Sequence, residues 1–147
     1  MRPDLPRALQ GVAITLISKV MPEVRTPFGQ QEVGLAAQLA FWAAEEAERG
    51  ADRLVKENQA VRALLAEGLD FAGEAAAQVS AAIATPLAPD YRIASLQAEN
   101  DALRKGLIAL HAAVEQDTTP AGAAFNERIW AELAESTRRR QFQARLG

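Results

Sequence analysis

The sequence predicts an all-α protein, a bundle of four to five helices with long antiparallel, coiled-coil-like members. Three observations carry that expectation. Apolar residues recur every three to four positions over most of the 147-residue chain. Alanine, a strong helix former, occurs 32 times, while aromatics are only 5% of the residues. Proline and glycine cluster at a few points and punctuate the periodic stretches. One domain spanning residues 1–147 is the expected organisation.

A first helix is expected over 5–21. Asp4 is placed to cap it, Pro6 sits where an early proline is tolerated, and Pro22 should stop it. Leu5, Leu9, Val12, Leu16 and Val20 form one stripe, and Ile14, Ile17 and Met21 lie off it. An apolar surface that wide predicts wide burial. Pro22, Pro27 and Gly29 mark a connection.

A long helix should follow over 30–67. Val33, Ala37, Ala40, Ala44, Ala47, Ala51, Leu54, Asn58, Val61 and Leu65 alternate in steps of three and four, the rhythm of a helix seam. Gly50 preserves the phase, so a continuous helix, kinked there at most, is preferred to two helices. Leu35, Leu39, Phe41 and Trp42 broaden its apolar face and predict more than one neighbour. A weaker helix over 69–84 contains Gly73, and Thr85-Pro-Leu-Ala-Pro89 ends it. Asp90 should cap the next helix, over 90–116, whose stripe is Ile93, Leu96, Asn100, Leu103, Leu107, Leu110 and Val114. Thr119 and Pro120 then read as an N-cap and first-turn proline of a last helix over 120–140, with Phe125, Ile129, Trp130 and Leu133 facing inward.

Two segments echo each other. Leu54-Val-Lys-Glu-Asn-Gln-Ala-Val-Arg-Ala-Leu-Leu65 and Leu96-Gln-Ala-Glu-Asn-Asp-Ala-Leu-Arg-Lys-Gly-Leu107 share Leu54/Leu96, Glu57/Glu99, Asn58/Asn100, Ala60/Ala102, Arg62/Arg104 and Leu65/Leu107. Common origin and a common solution to helix pairing both produce such a pattern. Asn58 and Asn100 fall on apolar stripes, where an amide must find partners. Fixing helix register is the expected role of both, and a polar contact in a binding cleft is the alternative.

Composition removes several chemistries. With no cysteine there are no disulfides, thiolate nucleophiles or iron–sulfur ligands. His111 is the one histidine, too few for the paired Glu-x-x-His motifs of a di-iron bundle. Ser18, Ser80, Ser95 and Ser136 lack a nucleophile-elbow context, and no glycine-rich phosphate loop is present. Glu45, Glu46 and Glu48 read as a solvated acidic face. No metal or cofactor is expected, and the enzyme question stays open, leaning toward no. Trp42, Asn100, His111 and Glu115 are the first candidates to line a ligand cleft, Glu115 one turn beyond His111.

Net charge is -3, so nucleic acid has no global attraction to the chain. Arg138, Arg139, Arg140 and Arg145 form its basic spot; they suit a helix C-terminus, and anion contact is the alternative. Asp70, Glu74 and Gln78 interrupt the most apolar stretch, so no membrane span is expected. Arg2 and Arg7 precede apolar Val12–Ile17, but Lys19 follows without a cleavage pattern. A cytoplasmic location is the expectation.

The stretch from Tyr91 to Glu115, above all Leu96 to Glu115, resembles a group of small, all-helical, uncharacterised bacterial proteins. Their genes tend to lie near acyl-CoA dehydrogenases and aminoglycoside-phosphotransferase-like kinases. The resemblance implies an accessory role beside a metabolic enzyme and brings no catalytic residues. The sequence therefore predicts a non-enzymatic helical interaction module, a homodimer that also binds a protein partner.

Overall fold

In a computed structural model the described residues, 4–143, are all-α. Five α-helices follow in order: α1 (Leu5–Thr15), α2 (Pro27–Glu67), α3 (Ala76–Ile83), α4 (Ile93–Val114) and α5 (Pro120–Arg140). Arg2 and Arg145 lie outside the described residues. The chain forms two compact units, one from residues up to Gly50 with those from Gln141 on, the other from Ala51 to Arg140.

The first unit holds α1 and the first part of α2. The Asp4 side chain accepts the Arg7 N–H at 3.2 Å, as its capping position predicts. The α-helix stops at Thr15, earlier than expected, and continues as a π turn (Leu16–Val20) and a 3-10 turn (Met21–Glu23). Pro22 has no N–H to give the α-helical ladder, so the chain changes pitch on approaching it. The expected connection at Pro27 and Gly29 is instead the first turn of α2. Thr26 Oγ1 accepts the Gly29 N–H at 3.2 Å and Pro27 takes the first helical position. Gly50 lies inside α2, which runs on as one element.

The second unit packs the rest of α2 with α3, α4 and α5. Its core contains Val61, Leu65, Val79, Leu103, Leu107, Leu110, Val114, Phe125 and Ile129. Phe71 stacks on Phe125 with centroids 5.0 Å apart. The expected helix over 69–84 is shortened to α3 and preceded by 3-10 turns at Leu69–Phe71 and Gly73–Ala75. Gly73, which opens the second of them, has φ +52°, a conformation that suits glycine and interrupts a helix. Gly106 lets α3 approach α4 closely, since a Cβ there would lie 2.3 Å from Ala82 Cβ.

Two end signals in this unit behave differently. Thr119 caps α5, its Oγ1 accepting the Gly122 N–H at 3.1 Å, as predicted. Asp90 does not cap α4. Its Oδ1 accepts the Arg92 N–H at 3.0 Å in a local turn, and the helix begins at Ile93. Trp130, expected inward, is 51% exposed.

Candidate functional site

The echoed segments meet in the second unit, and their polar residues form its buried centre. Asn100 Nδ2 donates to Asn58 Oδ1 at 2.8 Å, and Asn58 Nδ2 donates to the Leu96 carbonyl at 3.0 Å. Each echoed carboxylate pairs with the arginine of the opposite segment: Glu57 with Arg104, and Glu99 with Arg62. Numbers rise along α2 as they fall along α4 across these pairs, so the helices run antiparallel. Residue types on one helix meet their counterparts on the other in exchange, which is the pattern of a local two-fold axis. Both asparagines thus find the hydrogen-bond partners that buried amides require.

The two ends of the seam are closed differently. Glu57, fully buried, receives Arg140 Nη2 at 2.8 and 3.0 Å and the Ser136 hydroxyl at 3.0 Å, both from α5. Ser136 Oγ in turn accepts from Arg104 Nη2 at 2.8 Å, and Arg104 Nε donates to Asn100 Oδ1 at 3.1 Å. At the other end Glu99 Oε1 accepts from Arg62 at 2.8 Å and Oε2 accepts the Ala88 N–H at 2.9 Å. Arg62 also donates to the Ile83 carbonyl at the end of α3. Arg62 and Glu99 thereby fix the segment that joins α3 to α4.

Burial acts on both carboxyls first and would push them up. Hydrogen bonds and charge from Arg140 and Arg104 outweigh it at Glu57, and those from Arg62 and the Ala88 amide outweigh it at Glu99. Both are held below the ordinary carboxylate value and stay ionised. Ionised carboxylates locked to guanidinium groups accept hydrogen bonds well and exchange protons poorly near neutral pH. The seam is built to hold helices in place.

Within the second unit, Asn100 does not converge with His111 and Glu115. Trp42 belongs to the first unit, where its ring stacks on Phe142 at 5.4 Å. Asn100 sits in the seam, and His111 follows three turns later on α4, ~16 Å along the axis. His111 and Glu115 do come together, Nε2 and Oε1 lying 3.6 Å apart. The same Nε2 is 3.0 Å from Asn126 Oδ1, and the imidazole meets Trp130 edge-on at 5.1 Å. This cluster joins α4 to α5.

The terminal arginines are engaged within the chain. Arg138 pairs with Glu135, Arg139 with Glu132 and Glu135, and Arg140 with Glu57. An external anion would have to displace those carboxylates. The expected acidic face is altered at Glu45, which accepts the Gln143 N–H at 2.9 Å and pairs with Arg49.

Sequence reasoning missed Glu57, Glu99, Arg62, Arg104, Ser136 and Arg140 as members of one site. A signal was present, because the echo repeats Glu immediately before Asn and Arg four residues after it.

The first unit offers a different feature. Among its described residues, Ala13, Ala37 and Ala44 are the buried hydrophobic side chains. Leu5, Val12, Ile14 and Val20 stay exposed, against the wide burial expected of α1. On α2, Phe28, Leu35 and Leu39 are 71%, 58% and 52% exposed and lie along one face.

No protein-family model, curated protein or solved structure matches the chain. Among the described residues no group of three His, Asp or Glu could hold a metal ion, and no helix is long and apolar enough to cross a membrane.

Proposed function

We propose that the protein is a helical interaction module that self-associates through its first unit. The observation that carries this reading is the burial pattern there. Among the described residues the fully buried hydrophobic side chains are alanines, while Phe28, Leu35 and Leu39 on α2 and Leu5, Val12, Ile14 and Val20 before it stay exposed. Alanine buries little area, so this unit gains little hydrophobic stabilisation from the single chain. The stripe of Phe28, Leu35 and Leu39 exposed along one face of α2 is the kind of surface that marks an interaction face.

A second copy is the partner that fits. The stretch containing α1 carries Arg7, Lys19 and Arg25 against Asp4 and Glu23, while 27–50 carries Glu32, Glu45, Glu46 and Glu48 against Arg49. A two-fold arrangement sets the basic stretch of each copy against the acidic stretch of the other, burying both apolar faces. The second unit then serves as a rigid platform, locked by its polar seam. An accessory role beside a metabolic enzyme, implied by the resemblance over Leu96 to Glu115, is compatible with such a module.

Sedimentation over a range of concentrations tests the reading. The wild type should be dimeric, and Leu35→Glu with Leu39→Glu should give a monomer of unchanged helicity. A wild-type mass equal to one chain at every concentration would contradict it.

A further inference from the structure

The end of the seam closed by Glu99 opens onto a cavity of about 270 Å³. Its lining includes Val55, Leu87, Pro89, Tyr91 and Leu96, with Asn58, Asp90 and Glu99 as the polar groups that matter here. Asn58, Leu96 and Glu99 are buried and held by the seam, so this wall is set before any ligand arrives. Leu87 and Tyr91, at the rim, are 73% and 80% exposed. Their backbone is nonetheless anchored, by the Ala88 amide on Glu99 and by the Asp90 turn. Large apolar side chains displayed on an anchored loop beside a hollow are the usual make-up of a binding site.

We infer that this cavity binds a small organic cation, an ammonium group on a compact aromatic or cyclic body. The lining supplies two carboxylates and no cationic side chain. Both carboxylates are paired from outside the lining, Glu99 with Arg62 and Asp90 with Arg92 at 3.4 Å, so the charged side chains of the cavity wall itself are negative only. The Arg92–Asp90 pair is largely in solvent and readily exchanged. Arg62 and the Ala88 N–H each bond one oxygen of Glu99, and each carboxylate oxygen can accept a second hydrogen bond, as from an ammonium donor. Tyr91 at the rim places an aromatic ring beside the same cavity, where it can contribute a cation–π contact. The volume lies below the ~300–1,000 Å³ typical of drug-sized ligands, which limits the body to about one ring.

Phenethylamine and phenylacetate, one ring with opposite charges, are the probes. Amide shifts of the full-length protein are followed during titration with each at neutral pH. Phenethylamine should give saturable shifts at Ala88, Tyr91 and Glu99 and bind roughly tenfold tighter than phenylacetate. Tyr91→Ala should weaken it about two- to five-fold. Val55→Phe, at a half-buried position outside the polar seam, should fill the hollow and abolish it, with the thermal transition of each variant confirming the fold. Equal binding of the two probes, no saturation by about 10 mM phenethylamine, or undiminished binding in folded Val55→Phe overturns the assignment.

Discussion

The two units draw on the same alanine-rich helical sequence and use it in opposite ways. In the second unit the periodic stripe of α4 is buried from Leu96 to Val114, and a polar seam runs through it with its charges paired. In the first unit the stripe of α2 is largely alanine, and Phe28, Leu35 and Leu39 face outward. Residue spacing determines which side chains share a helix face. What covers that face depends on the size of the side chains and on which other helix carries a matching surface.

The largest effect should come from breaking the seam. Glu57→Ala leaves Arg104, Arg140 and Ser136 without their shared acceptor, and removing one member of a buried ion pair costs roughly 3–5 kcal/mol. Urea titration should show the loss in the second unit. The two tryptophans separate the readouts, since Trp42 belongs to the first unit and Trp130 to the second. Replacing one of them by phenylalanine leaves a single fluorescent reporter for the other unit.

A paired truncation sharpens the comparison. Leu103 is fully buried, and Leu103→Ala should destabilise the second unit by about 2–5 kcal/mol at any protein concentration. Leu35→Ala should change the stability of a dilute monomer by less than about 0.5 kcal/mol. At high concentration it should weaken association, as seen by sedimentation. Equal, concentration-independent losses for both variants would erase the distinction between the units.

A smaller, pH-dependent effect should again appear in the second unit. Glu57 and Glu99 titrate below the ordinary carboxylate value in the folded state, so unfolding takes up protons as pH falls. Their stabilisation is complete above the unfolded carboxylate range and is lost as pH drops through the folded values. Glu132 has the opposite sign. Burial raises its carboxyl and Arg139 offsets this only in part, so its contribution improves as acid protonates it. Unfolding free energy followed by Trp130 should hold or rise slightly on acidification from neutral pH, then fall below about pH 4.5. A steady rise down to pH 3 would contradict the paired state of the seam.

Much of the fold was legible because the signals were local. Asp4 and Thr119 cap the helices they were expected to cap, and the α4 stripe is buried from Leu96 onward. Thr26-Pro27 repeats the Thr119-Pro120 signature, yet Gly29 and the preceding Pro22 disguised it as a connection. Asp90 had the right chemistry for a cap but spends it two residues on, at the Arg92 amide. The seam was only half legible. Both asparagines stood out on apolar stripes, whereas Glu57 and Glu99 entered only as matched positions of the echo. Their burial depends on Arg104, Arg140 and Arg62, which are distant in sequence; the echo hints at the pairing with Arg104 and Arg62, and nothing local points to Arg140.

Hydrogen exchange of backbone amides, measured across a wide range of protein concentration, addresses the contrast between the units most directly. Protection in α1 and in α2 up to Gly50 should climb as the protein becomes concentrated, while α4 and the buried turns of α5 stay equally protected throughout. Strong protection of α1 that does not change with dilution would mean the single chain already completes its first unit, and the proposed dimer face would have no role.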